Sequence, residues 1–175
     1  MGFTVQEGSE RSDVSIGAVM KLTEAQETWV QALESGEYEQ TESYLRTDSE
    51  GVNGYCCLGV ACEVSGIGTW STEPIWEGQS YIYTAGDEAD AEGMPPKVAD
   101  SLDMVNLLGG FKRIIYHTDE DGEWTATKPK EGIDFKEYHN LTLINDSGKY
   151  DFAEIAHVIR KFPELLFTTK ETNGV

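Results

Sequence analysis

Tyr55-Cys56-Cys57-Leu58-Gly59-Val60-Ala61-Cys62-Glu63-Val64 is apolar on nearly every side of a helical wheel. A helix with no face to give to water must run through the centre of the molecule. Asn53-Gly54, just ahead of it, is a turn signal, and Gly59 within it permits another backbone to approach closely. A buried helix needs cover on several sides, which the rest of the chain has to supply.

Toward the amino terminus, Thr23-Glu24-Ala25-Gln26 has the form of a capping box, and Trp29, Val30 and Leu33 share one helical face before Gly36 stops the helix. A second short helix is expected over 38–45, with Tyr38, Thr41, Tyr44 and Leu45 as its less polar positions, forming a helical hairpin with the first. Residues 1–20, rich in glycine, serine and acids, read as a tail or short strand.

Toward the carboxy terminus, 66–93 reads as a long irregular stretch carrying Trp70, Trp76, Tyr81 and Tyr83, then the acids Asp87, Glu88, Asp90 and Glu92. Loops of that length usually serve a function. Pro95-Pro96 opens a short helix with Val98, Leu102 and Val105. Stretches 111–117 and 124–128 read as a hairpin around Asp121-Gly122, and 138–144 is rich in strand formers before Asn145-Asp146-Ser147-Gly148 turns the chain. Asp151-Phe152-Ala153-Glu154 caps a last helix whose Phe152, Ile155, Ala156, Ile159 and Phe162 face inward until Pro163 ends it. Several short helices before and after a small antiparallel sheet define an α+β fold, a single compact domain over 21–168 with 169–175 as a tail.

With 175 residues, 39% of them hydrophobic, the chain is long enough for one core and too short for two. No apolar run approaches the ~18 residues of a membrane helix. The 13 Lys and Arg against 32 Asp and Glu leave a net charge of −19, which repels a polyphosphate backbone and argues against general nucleic-acid binding. The imbalance is uneven: residues 1–100 carry 4 basic and 19 acidic groups, residues 101–175 carry 9 and 13, so groups attracting an anion are expected mainly in the second part. All three cysteines fall within 56–62, which gives no disulfide framework. Met1-Gly2-Phe3-Thr4-Val5-Gln6 lacks a secretory design and fails the myristoylation pattern at Gln6, and a reducing cytoplasm is the expected compartment.

Three segments carry a resemblance: Trp29 to Gln40, then Gly54-Tyr55-Cys56-Cys57-Leu58-Gly59-Val60-Ala61-Cys62, then Leu143-Ile144-Asn145-Asp146-Ser147-Gly148 leading into Phe152-Ala153-Glu154-Ile155-Ala156. In this order they resemble a widespread family of small proteins of tailed bacteriophages, marked by a Tyr-Cys-Cys-Leu-Gly-Val helix and a Leu-Ile-Asn-Asp-x-Gly turn before the last helix. The resemblance implies a virus-encoded accessory protein acting in the host cytoplasm. It implies no particular activity.

The cysteines admit three readings. Zinc needs four N, S or O ligands, whereas neighbouring cysteines on a helix point about 100° apart and His117, His139 and His157 are scattered, so no metal site is expected. As a nucleophile, Cys56 has a helix amino terminus to lower its pKa, and His139 with Asn140 or Asn145 follows in the papain-like order, the set of a cysteine hydrolase or amide transferase. As packing groups, the three thiols are small apolar fillers of a tight helix interface. Asp119-Glu120-Asp121-Gly122-Glu123 lacks EF-hand spacing, and no Walker pattern or HExxH is present.

A binding constellation fits better. Lys112-Arg113, Lys128 with Lys130, and Arg160-Lys161 offer positive charge, while Trp76 and Tyr81 offer flat faces. Phosphates pair with the first kind of group and bases stack on the second. Gln40, Tyr55 and Asn145, at the edges of the recurring segments, are expected to fix the ligand's polar groups. The expected function is counter-defence by sequestering a small host molecule, a nucleotide immune signal, without turnover or cofactor, in a pocket completed by a second copy of the chain. A further reading makes Glu34, Glu37, Glu39 and Glu42 a row of carboxylates along neighbouring helical turns, imitating the phosphates of DNA for a basic host protein.

Overall fold

A computed structural model describes residues 20–75, 78–111, 116–118, 124–126 and 139–168 of the protein. The two tails, Trp76, Lys112, Arg113, Lys128, Lys130 and the acidic run 119–123 lie outside the described residues.

The first helix, α1 (Glu24–Glu34), starts where its capping box dictates: the Gln26 N–H donates to Thr23 Oγ1 at 3.3 Å and the Thr23 N–H donates to Gln26 Oε1 at 2.9 Å. Its Gln26, Trp29, Val30 and Leu33 are buried along one face. There Gln26 Nε2 donates to the Leu102 carbonyl at 2.7 Å, so neither polar atom of this fully buried amide lacks a partner. The central helix α2 (Cys57–Ser65) is buried over Cys57–Cys62 as its composition demands, capped by Cys56 and closed by Gly66 at φ +61°. It packs against α1, and Trp29 Nε1 donates to the Cys57 carbonyl at 2.9 Å.

The main sheet comprises β1 (Glu39–Gln40), β2 (Arg46–Ser49), β3 (Val52–Tyr55), β4 (Thr69–Ile75), β5 (Gly78–Ala85) and β6 (Glu88–Asp90). Its order is β1-β3-β2-β5-β4, with β6 also pairing β5. All pairs are antiparallel except β1 with β3, so the sheet is mixed. Helix α3 (Pro96–Ser101) follows, then a separate ladder of β7 (Tyr116–Thr118) and β8 (Trp124–Ala126), which pairs Tyr116 with Ala126 as the expected hairpin requires. The chain continues through α4 (Leu141–Asp146), α5 (Phe152–Lys161) and α6 (Pro163–Leu166). One α+β domain results, as the sequence implies.

Three local expectations are corrected. Residues 38–45 form no helix: Glu39 and Gln40 pair in parallel with Gly54 and Tyr55, Ser43 adopts φ +70°, and the Leu45 N–H donates to Ala91. Residues 66–93 are not an irregular loop but the strands β4, β5 and β6. Residues 138–144 do not end in a strand, because Asn140 caps α4 by accepting the Leu143 N–H at 2.8 Å.

Helices α1 and α5 are joined by Arg160, whose Nε and Nη2 each donate at 2.8 Å to Glu34 while Nη1 donates to Glu27 at 2.8 Å. These hydrogen bonds hold both carboxyls below their ordinary value near 4.5. Because the folded pKa values are the lower ones, this stabilisation is complete above about pH 4.5 and is lost as pH falls through the depressed values. Arg160→Met is therefore expected to flatten the acid limb of stability, read as urea midpoints between pH 3 and 6. The change should be modest, since the groups are partly exposed. An unchanged acid limb would show that the clamp contributes nothing.

Candidate functional site

Strand register builds an aromatic face around one arginine. Arg46 of β2 lies opposite Tyr55 of β3, and the pairing of Thr47 with Ser80 brings Arg46 beside Tyr81 of β5. On the next strand Trp70 opposes Tyr83 and Thr72 opposes Tyr81. The Arg46 guanidinium carbon consequently sits 4.1 Å from the Tyr81 ring centroid, 5.2 Å from that of Tyr55 and 5.6 Å from that of Trp70. Cation–π attraction of about 0.5–2 kcal/mol favours this placement. The rings interlock edge to face, Tyr38 with Tyr55, Tyr55 with Trp70, and Trp70 with Tyr81 and Tyr83.

Two polar groups flank the rings. Asn53 Oδ1 accepts from Arg46 Nε at 3.1 Å and Nη2 at 2.8 Å, which fixes the plane of the guanidinium. No carboxylate among the described residues pairs with Arg46, so its remaining N–H groups are uncommitted. On the other side, Glu63 of α2 accepts the Trp70 indole N–H at 2.6 Å. Burial, with Glu63 adding to it, pushes the Tyr55 phenol above its ordinary range, and burial does the same for Tyr38. Both remain neutral donors at physiological pH.

Gln40 and Asn145 meet elsewhere. Asn145 is fully buried; its Oδ1 accepts from the Cys57 N–H at 3.0 Å and from Gln40 Nε2 at 3.3 Å, and its Nδ2 donates to the Thr41 carbonyl at 2.8 Å and to Asp146 at 2.9 Å. That uses its whole hydrogen-bonding capacity, so Asn145 acts as a clamp of the fold and has nothing left for a ligand. Gln40 Nε2 also reaches the Tyr150 carbonyl at 3.0 Å, and Gln40 lines an open cleft of about 410 Å³ whose walls include Glu42, Lys149, Asp151 and Glu154. Three carboxylates on that rim make it a poor place for a phosphate.

The cysteines are packed, not poised. Cys56 caps α2 by accepting the Gly59 N–H at 3.3 Å, an interaction that favours the thiolate, but burial acts in the opposite direction. A helix terminus supplies at most about 2 kcal/mol, whereas full burial shifts a pKa by up to about 3–5 units, so burial wins. The Cys56 thiol is pushed up to about 12, and Cys57 and Cys62 are raised as well. His139 is exposed and Asn145 is committed to the Cys57 N–H, so the Cys56, His139 and Asn145 set is not assembled as a catalytic triad. Iodoacetamide at neutral pH is expected to leave all three thiols of the native protein unmodified and to label them after denaturation. Selective labelling of Cys56 in the native state would restore the nucleophile reading.

Two charge patterns are also corrected. Arg160 is engaged by Glu27 and Glu34 and does not stand ready for phosphate. Glu34 lies in α1, Glu39 in β1, and Glu37 and Glu42 in the connections, so the four glutamates form no row along helical turns. Conversely, Arg46, Asn53, Glu63 and Trp70 escaped the sequence reading as site residues. The period-two spacing of Tyr81 and Tyr83 was the available signal for a strand with one aromatic face.

The geometry defines a small α+β domain, built around one buried helix, with an arginine held among aromatic rings on its sheet. The chain belongs to the family of the domain of unknown function DUF8296, whose sequence profile matches residues 20–162. No curated protein and no solved structure matches it. Among the described residues no helix is long and apolar enough to cross a membrane, and no group of three His, Cys, Asp or Glu is placed to hold a metal ion.

Proposed function

We propose that this domain binds a small anionic ligand with a planar ring, of the nucleotide class, on the Arg46 face and holds it without turnover. The observation that carries the reading is Arg46: in a chain of net charge −19, a guanidinium pre-oriented by Asn53 and backed by three rings lacks a carboxylate partner among the described residues. A phosphate pairs with its uncommitted N–H groups, while a base stacks on the half-buried Trp70, whose ring stands edge to face with Tyr81. Given the resemblance to tailed-phage proteins, the setting is the host cytoplasm and the role is sequestration of a nucleotide immune signal, with a second copy of the chain closing over the open face.

Isothermal titration of the intact protein against cyclic and linear nucleotides tests this directly. At least one nucleotide should release heat, and Arg46→Gln, checked for folding by circular dichroism, should weaken it about tenfold or more, the worth of one charge-assisted hydrogen bond. Absence of heat with every nucleotide overturns the proposal, as does full affinity in the folded variant.

A further inference from the structure

The position of Glu63 bears on which nucleotide fits, an inference that rests on the proposed nucleotide reading. Trp70 meets both charged groups of the face: its indole N–H donates to Glu63 at 2.6 Å, and its ring centroid lies 5.6 Å from the Arg46 guanidinium. A carboxylate at the indole N–H and a guanidinium beside the ring impose a direction. The phosphate of a bound nucleotide is drawn to Arg46 and repelled by Glu63, so the base edge faces Glu63.

We infer that Glu63 selects guanine. Glu63 is exposed, and a carboxylate has about four lone-pair sites, of which the Trp70 N–H occupies one. It therefore accepts two further parallel N–H bonds. Guanine presents two adjacent donors on its Watson–Crick edge, N1–H and the N2 amino group. Hypoxanthine offers only N1–H. Adenine sets the N1 lone pair beside its amino donor, and cytosine sets N3 beside its own, so each opposes a lone pair to the carboxylate. A site that hydrogen-bonds a donor rejects the analogue lacking it more sharply than shape alone does.

Titration of the full chain with guanosine, inosine and adenosine 5′-monophosphates, repeated on Glu63→Gln and Arg46→Gln, tests this inference. The expected order is guanosine over inosine over adenosine, with at least tenfold between the extremes. Glu63→Gln keeps an oxygen for the Trp70 N–H, so the fold is preserved, but it can turn an amide N–H₂ toward the guanine donors and should erase or reverse the preference. Arg46→Gln should weaken all three ligands together. Equal affinity for guanosine and adenosine monophosphates, or a preference that survives Glu63→Gln, overturns base selection and leaves nucleotide binding standing. No binding of any nucleotide removes both.

Discussion

Gly59→Ala should lower the stability of the domain by about 3 kcal/mol or more, read as a fall in the urea midpoint with little change in slope. A methyl group on Gly59 would run into the Leu45 carbonyl oxygen, a backbone atom and not the tip of a flexible side chain. That oxygen also accepts the Cys56 N–H at 3.1 Å, while the Leu45 N–H donates to Ala91 at 2.6 Å, so moving it disturbs the start of α2 and the strand junction together. Alanine's better helix propensity returns only about 1 kcal/mol. Gly36→Ala supplies the contrast: at φ +73° with nothing within 4 Å, it should cost only about 1–2 kcal/mol. If both variants lose the same small amount, the close approach of Leu45 to α2 is not what holds this junction.

The second large effect is expected at Asn145. Asn145→Ala strips the partners from the buried Cys57 N–H and from the Thr41 carbonyl. At about 1–3 kcal/mol for each orphaned group, the loss is about 3 kcal/mol, a large share of the 5–15 kcal/mol typical of a domain. Asn145→Asp is informative in a different way. It places carboxyl oxygens against the Thr41 carbonyl and the Asp146 carboxylate, and burial beside like charge raises the folded pKa of the new group. A raised folded pKa means that the folded state binds the extra proton, so this variant should gain stability as pH falls from 8 to 5. Chemical denaturation at both pH values measures it, and a pH-independent deficit would contradict the assigned contacts.

The parts of the fold legible in the sequence are those decided locally. Thr23 with Gln26 and Asp151 with Glu154 specify their helices through contacts three residues apart, and both capping boxes form. The apolar run around Gly59 specifies burial without reference to a partner. What was not legible is decided at a distance. The stretch 38–45 looks helical by spacing, yet its backbone is claimed by Tyr55, Ala91 and Asn145. Strand β4, with its Thr, Ser, Glu and Pro, has almost no apolar alternation and becomes a strand because β5 pairs with it along its whole length. Leu141, Ile144 and Asn145 are buried at helical spacing while Leu143 is exposed, a pattern hidden among strand-forming side chains.

The candidate site follows the same division. Tyr55 and Tyr81 were identified singly, but Arg46 joins them only through the registers of β2 with β3 and β5. Asn145 and Gln40 stood out as polar groups at element ends, and the structure commits Asn145 wholly to the fold.

The hydrogen bonds that close this domain join residues far apart in the chain: 76 residues from Gln26 to Leu102, 88 from Cys57 to Asn145, 110 from Gln40 to Tyr150 and 133 from Glu27 to Arg160. A chain emerging from the ribosome amino terminus first therefore makes its apolar central helix long before it makes the groups that cover it. Closing such loops costs entropy before any contact rewards it, which slows folding. Until α4 and α5 are free of the exit tunnel, the Trp29 and Cys57 layer lacks the helices that pack on it. A nascent chain stalled before α5 therefore keeps its apolar central helix incompletely covered, and is a substrate for chaperones or proteases and not a smaller working protein.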